Sequence, residues 1–282
     1  MKDEILTLLK NANFFDHFLF YVQENFPVDY EQKFKDPFHQ DFSENPMIEL
    51  GNQERIFESL AQLISLREFY LAKEIPMKHF YKSIYDLGYR MNRFYQKNGV
   101  YGLTDSDLKW LSPLYKAEIF DLDSLRFQIS GFSYQEIERQ TYQYMSLSQK
   151  WKERFPEGTP IITIHIFKNT DFRPEKIDTS LSLARDFFAR YFPEHNYEYF
   201  VCRSWLLYRP TENLLGPQSN IVSFAKRFQI IAQNQNTKQA LDRIYGTSDL
   251  DKIERMPKNS SLAQKAYKNL NYLGVAAGII PK

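Results

Sequence analysis

Ile161-Ile162-Thr163-Ile164-His165-Ile166-Phe167, entered through Pro160, and Tyr199-Phe200-Val201-Cys202-Arg203-Ser204-Trp205-Leu206-Leu207 are the two runs on which the fold turns. Both are short, apolar and rich in β-branched or aromatic residues, which reads as buried strand. Between them Pro174 fits a first helical position, and Glu175 follows in the first turn. Ile177, Leu181, Ala184, Phe188 and Tyr191 then recur on one helical face until Pro193 ends it. A helix between two apolar strands predicts a βαβ-like unit in a mixed sheet. A polar turn, Gly216-Pro217-Gln218-Ser219-Asn220, leads to a third predicted strand, Arg227-Phe228-Gln229-Ile230-Ile231.

Around this centre the same alternation of periods continues. Ser124-Leu125-Arg126-Phe127-Gln128-Ile129 has a two-residue period and predicts a half-buried strand ending at Gly131. A polar helix or loop is expected from Tyr134 to about Lys152, and a turn at Pro156-Glu157-Gly158. Lys238 to Tyr245 reads as a short helix stopped by Gly246. Ser261-Leu262-Ala263-Gln264 matches a capping box for another, with Leu262, Ala266 and Leu270 as its stripe. Val275 to Ile280 reads as a last strand.

Upstream of about Phe120 the period is helical throughout. Ile5, Leu8, Leu9 and Ala12 form one stripe, and Phe14, Phe15, Phe18 and Val22 the next. Irregular chain is expected from Asp29 to Met47. A long helix marked by Ile56, Leu60, Leu63, Ile64 and Arg67 then runs to about Glu74 and stops before Pro76. Met77, Phe80, Ile84, Leu87 and Met91 carry a further helix to about 97, with Gly99 as its stop, and Thr104 with Asp107 suits a capping box for the next. Tyr81, Tyr85, Tyr89 and Tyr95 fit either helix packing or a ligand pocket. The texture changes near Asp121. The expected architecture is therefore α+β: an all-helical domain over 1–122, followed by a mixed-sheet α/β domain over 123–282.

Composition narrows the function classes. A chain of 282 residues with 43 % hydrophobic and 25 % charged residues is that of a soluble globular protein of two domains. The formal net charge of +1 gives no electrostatic reason to expect a nucleic-acid partner. One cysteine allows no internal disulfide and suits a reducing, cytoplasmic setting. No apolar run approaches the length of a membrane span, and Met1-Lys2-Asp3-Glu4 does not resemble a signal peptide, so no membrane partner is expected.

The chemistry-bearing residues sit in the opening strands. Cys202 or Ser204 could act as a nucleophile with His165 as base, and Cys202 and Ser204 share a strand face; inert interior residues are the plainer reading. No Gly-x-Ser-x-Gly elbow accompanies them. The histidines 17, 39, 79, 165 and 195 are scattered, with no metal-ligand spacing, so no metal is expected. Neither a P-loop nor a Gly-x-Gly-x-x-Gly fingerprint occurs. Asp121 and Asp123 are expected to be solvated junction residues. Lys258 and Ser260, before a capped helix, and Ser219 and Asn220, at another helix start, could hold a phosphate, with ordinary capping as the alternative.

His165 within Ile164-His165-Ile166, the run Cys202 to Leu207, and Ser219-Asn220-Ile221-Val222-Ser223-Phe224 together resemble the signature stretches of a bacterial acyltransferase-like family. Its members join a helical N-acyltransferase-type N-terminal domain to a GNAT-like C-terminal domain. The resemblance implies transfer of an acyl group from coenzyme A to an amine or similar small acceptor, without a covalent enzyme intermediate. His165 would be the base, Cys202 and Ser204 would line the site, and Ser204 could protonate the leaving thiolate. Acyl-coenzyme A is the implied co-substrate. One departure stands out. GNAT enzymes usually hold the coenzyme A pyrophosphate with an Arg/Gln-x-x-Gly-x-Gly/Ala loop, and Gln128-Ile129-Ser130-Gly131-Phe132-Ser133, the nearest segment here, is incomplete and follows the wrong strand. A non-catalytic ligand-binding or interaction module on the same fold, or a Cys/Ser-His hydrolase, is therefore the alternative.

Overall fold

The computed structural model describes residues 1–27, 50–138, 145–167 and 170–282; the irregular chain expected over 29–47 lies outside them. The chain divides into two compact units, Met1–Asp121 and Leu122–Lys282.

The first unit is helical: α1 Lys2–Asn11, α2 Asp16–Asn25, α3 Glu54–Ala72, α4 Met77–Asn98 and α5 Asp105–Tyr115. The apolar stripes read from the sequence are its core, with Ile5, Leu9, Val22, Leu60, Leu63, Ile84, Leu87 and Met91 all at 0 % exposure. Gly99 ends α4 in the left-handed region (φ 71°), where its N–H donates to Tyr95 O, so the stop is a property of glycine's backbone. Thr104 caps α5 in a full capping box: its hydroxyl accepts from Asp107 N, and the Asp107 carboxylate accepts from Thr104 N at 3.0 Å. That carboxylate also accepts from Arg90 Nη1 at 3.0 Å, while Arg90 Nε donates to buried Asp86 at 2.9 Å. One guanidinium thereby pairs with two buried acids and ties α4 to α5. The tyrosines at helical spacing do not line a pocket together. Tyr85 and Tyr89 are exposed, Tyr81 accepts from Asn11 Nδ2, and Tyr95 stacks on Tyr101.

The sheet contains β1 Ile119–Leu122, β2 Leu125–Gly131, β3 Pro160–His165, β4 Tyr199–Ser204, β5 Gln229–Asn234 and β6 Val275–Pro281, in the order β1-β2-β3-β4-β6-β5. Helices intervene: α6 Tyr134–Glu138, α7 Gln149–Arg154, α8 Pro174–Tyr191, α9 Glu212–Leu215, α10 Asn220–Lys226, α11 Lys238–Tyr245, α12 Leu250–Arg255 and α13 Ser261–Lys268. β3 and β4 are parallel, joined through α8 as the βαβ reading requires; the pairs β2–β3, β4–β6 and β5–β6 are antiparallel. The fold class is α+β, with a helical N-terminal part followed by a mixed sheet and its helices.

Several elements differ from the sequence reading. β3 stops at His165 rather than Phe167. β4 ends at Ser204, where Trp205–Leu207 tightens into a 3₁₀ turn whose Leu206 N–H donates to Ser204 Oγ. Asp121 is a buried strand residue, not a solvated one: β1 is buried along its whole length, so it has no alternation to betray it. The third strand begins at Gln229, because Asn220–Lys226 continues as α10. Ser260, not Ser261, caps α13, accepting from Ala263 N at 3.1 Å.

The two faces of the sheet carry different coverings. On one face Ile161, Val201, Ala277 and Ile279 pack under Phe132, Ile137, Met145, Leu147 and Phe155, from α6 and the chain around α7. On the other, Phe127 meets Phe200, Phe200 meets Tyr197, and Tyr197 meets Phe188 of α8 at ring-centroid distances of 5.3–6.0 Å. Burial of these rings supplies the main driving force, at roughly 25 cal/mol per Å² of apolar surface.

Candidate functional site

β3 and β4 pair over three positions only, Ile162↔Phe200, Thr163↔Val201 and Ile164↔Cys202. Their carboxyl ends, His165 and Ser204, mark where parallel strands of such sheets leave room for a ligand. The register decides which side chains meet there. Ile164 stands beside Cys202, so Cys202 and Ser204 leave the sheet on the α8 face. His165 leaves on the opposite face, with Thr163, Val201 and Arg203.

On the His165 face the antiparallel β2 contributes Arg126, directly opposite His165, then Gln128 opposite Thr163 and Ser130 opposite Ile161. Gln128 Oε1 lies 2.8 Å from His165 Nε2, and Ser130 Oγ lies 2.7 Å from Thr163 Oγ1. Arg126, only 3 % exposed, spreads its guanidinium over the Phe167 ring at 4.0 Å. Arg203 reaches from β4 and pairs with Glu136 of α6, while its Nη1 is buried with no hydrogen-bond partner among the described residues. A row of polar groups thus crosses three strands on an otherwise apolar face.

Electrostatics set the state of the histidine. Burial, then the charges of Arg203 and Arg126, hold its ring down to about 3, so it is neutral at physiological pH. An imidazolium between two guanidiniums is disfavoured, and so is any other cation placed there. A bound ammonium would accordingly give up a proton more readily than in water.

The other residues singled out from the sequence are placed elsewhere. Cys202 is 1 % exposed, and burial pushes its thiol up to about 12, which suits an inert core residue. Ser204 is engaged as the cap of the Trp205–Leu207 turn. The pairing of Cys202 or Ser204 with His165 that a nucleophilic hydrolase requires is ruled out by the sheet itself, which lies between them. Lys258 Nζ donates to Ile253 O and Glu254 O and lies 4.3 Å from the Tyr267 ring centroid, closing the end of α12. Ser260 is the α13 cap. Lys258 and Ser260 therefore read as capping, and phosphate binding would have to displace these bonds. Ser219 and Asn220 open α10, without a side-chain cap hydrogen bond. Gln128 to Gly131 lies on β2, where a Cβ on Gly131 would sit 3.2 Å from Gly158 Cα and O. That glycine permits close backbone approach rather than a phosphate loop.

Sequence reasoning missed Arg126, Gln128 and Arg203 as neighbours of His165. The period-two reading of β2 had put Arg126 and Gln128 on one face, but only the register shows which strand they meet. Among the described residues no group of three or more His, Cys, Asp or Glu side chains could hold a metal, and no helix is long and apolar enough to cross a membrane.

Comparison with known proteins follows the same architecture. A family model described as the GNAT-like C-terminal domain matches residues 119–278, more than half of the chain. No curated protein matches the sequence. Among solved structures, an acyltransferase in complex with decanoyl-CoA is similar at a TM-score of 0.71 and 19 % identity, covering 99 % of this chain and 87 % of that one. An acyltransferase in complex with decanoyl-CoA and teicoplanin is similar at a TM-score of 0.62 and 21 % identity, covering 80 % of this chain. This chain spans 65 % of that protein's length, and the same holds for an acyltransferase in complex with CoA and 10C-teicoplanin, at a TM-score of 0.63 and 20 % identity. At these identities the likeness is one of fold.

Proposed function

The chain belongs to the GNAT-like C-terminal domain family, and on that premise we propose that it transfers an acyl group from coenzyme A to the amine, or a similar nucleophile, of a small acceptor. The observation that carries this reading is the row of polar groups at the carboxyl end of the short parallel pair, with His165 neutral and held by Gln128. The likeness to acyltransferases bound to acyl-coenzyme A supports the choice of thioester.

In this reading His165 is the proton acceptor. Arg203 and Arg126 keep both the imidazole and the incoming amine uncharged, so the amine arrives as a nucleophile. Direct attack on the thioester needs no enzyme nucleophile, which agrees with the interior placing of Cys202. Of the remaining residues offered from the sequence, Ser204 acts through the Trp205–Leu207 turn at the end of β4. Ser219 and Asn220 stay as the residues proposed to meet the cofactor, and Lys258 and Ser260 meet it only if their capping bonds open. A reducing, cytoplasmic setting suits a chain whose cysteine is a free, buried thiol.

A second reading, a non-catalytic binding module, is favoured by one observation. The approach to α8 carries Asp171, whose carboxylate is bound by Arg173 and held down to about 2, where a phosphate at the helix start would meet its charge.

The test is to mix the full chain with acyl-coenzyme A of graded chain length and a panel of primary amines. Free thiol is followed by colour and the amide product by mass. Acyl transfer predicts amine-dependent thiol release and a raised melting temperature with acyl-coenzyme A. Ligand stabilisation without thiol release supports the binding module. Neither effect at millimolar ligand overturns both.

A further inference from the structure

The polar row at the ends of β3 and β4 is within reach of solvent, yet it is lined with positive charge. Gln128, His165 and Phe167 are half-buried, whereas Arg126 is 3 % exposed and the Arg203 side chain 14 %. Among the described residues the acid paired with Arg203 is Glu136 of α6, whose side chain is 48 % exposed and so screened by water. The Nη1 end of the same guanidinium is buried and has no hydrogen-bond partner among the described residues. Arg126 adds a second cation from β2, opposite His165. The charges acting on the His165 ring, from Arg203 and then Arg126, are both positive. Such a place sorts nucleophiles by charge. An alkylamine as basic as a lysine side chain is uncharged in roughly one molecule in 2,500 at pH 7, and both guanidiniums repel its ammonium form. An arylamine, an alkoxyamine or an acylhydrazide has a far weaker nitrogen base and is already uncharged there. The Phe167 ring, with Arg126 over it at 4.0 Å, adds an apolar surface beside the row.

We infer that the acceptor is a weakly basic nitrogen nucleophile, uncharged at physiological pH, and that Arg203 is the specificity-determining residue that selects it over alkylammonium compounds. The inference rests on the acyl-transfer reading of this site and narrows its acceptor. The uncharged nitrogen bonds to the thioester carbonyl carbon, and the C–S bond breaks with its electron pair going to sulfur. The nitrogen's proton ends on that sulfur. The products are a neutral amide and a free thiol, so no cation is left between Arg126 and Arg203.

Aniline and benzylamine form a matched pair of probes, close in size and opposite in charge state at pH 7. Each is titrated into the full chain, with binding followed by NMR and turnover by thiol release at saturating acyl-coenzyme A. The expected result is a kcat/KM for aniline at least about tenfold above that for benzylamine, and a Kd lower by a similar factor. Variants are compared through these two ratios, in which a partial loss of folded protein cancels. Arg203→Gln removes one positive charge and should narrow both ratios by about tenfold, the equivalent of one pKa unit. Arg203→Lys keeps the charge and should keep the ratios. Glu136→Gln takes the paired acid from Arg203 and should widen them, a test that stands even where Arg203→Gln does not fold. Benzylamine bound and used as well as aniline, ratios unmoved in a folded Arg203→Gln or Glu136→Gln, or no binding of either amine overturns the inference. Thiol release with neither amine, while the binding ratio holds and moves with the variants, overturns acyl transfer and supports the charge selection on its own.

Discussion

His165 and Ser204 leave the sheet on opposite faces, although they end neighbouring parallel strands. Ile164 stands level with Cys202, so each even position of β4 matches an even position of β3. Ser204 and Cys202 therefore look towards α8, while His165 looks towards Arg203.

Two substitutions and one labelling experiment should separate accordingly. His165→Ala is expected to lower turnover roughly 10²–10⁴-fold with the fold retained, the range for loss of a positioned proton acceptor. Ser204→Ala removes the acceptor for Leu206 N–H and should cost about 1 kcal/mol of stability with little change in turnover. Cys202 should resist alkylation in the native protein. A thiol pushed up to about 12 leaves roughly one thiolate in ten thousand at pH 8, and it is buried besides. Labelling that tracks global unfolding agrees; fast native labelling, or turnover lost with the cysteine, does not.

Acid should destabilise the protein through His165. The unfolded ring takes a proton near 6.5 and the folded ring only near 3, so between those values the unfolded state binds more protons. The contribution of His165 is intact above about pH 6.5 and is lost progressively as pH falls towards 3. Melting temperatures from pH 8 to pH 4 should fall more steeply for the wild type than for His165→Gln. In Arg203→Gln one opposing charge is gone, so an NMR titration should find the His165 pKa moved up towards the ordinary value. An unmoved pKa would discount Arg203 as a cause.

The helical unit has its own weak point at Arg90. Arg90→Met strands Asp86 and Asp107 without their shared cation and should cost about 3–5 kcal/mol, whereas Thr104→Ala loses only a cap, about 1 kcal/mol. Chemical denaturation of both variants checks the ranking. Equal losses would mean that the capping box, not the ion pairs, holds α4 to α5.

Gly131→Ala should destabilise by about 1–3 kcal/mol, since its Cβ would press on Gly158 Cα and O at 3.2 Å and no side chain is there to yield. Phosphate-ligand binding should be unaffected in the folded variant. A selective loss of coenzyme A affinity without loss of stability would restore the phosphate-loop reading of this segment.

Much of the architecture was legible because local chemistry and tertiary demand agree. Ile177, Leu181, Ala184 and Phe188 announce α8, bracketed by Pro174 and Pro193, and Thr104 with Asp107 announces α5. Where the signal failed, a physical reason is visible. β1 is buried on both faces and shows no period. Ser260 and Ser261 offer the same hydroxyl one residue apart, and backbone geometry chooses between them. At the site, His165 was evident as a polar residue in an apolar run. Its companions depend on cross-strand register, which brings residues 126, 128, 165 and 203 together from three separate strands and leaves no trace in any one segment.

The division of the sheet into two unlike faces has a consequence for how variation can accumulate in this chain. Along β3 and β4, parity separates two kinds of phenotype. Changes at Ile162, Ile164, Phe200 or Cys202 are expected to fall on solubility and folding yield, whereas, on the proposed role of His165, changes at His165 or Arg203 are expected to fall on turnover. On that proposal, alternate letters of these strands are free to vary with substrate while the intervening letters keep the scaffold constant.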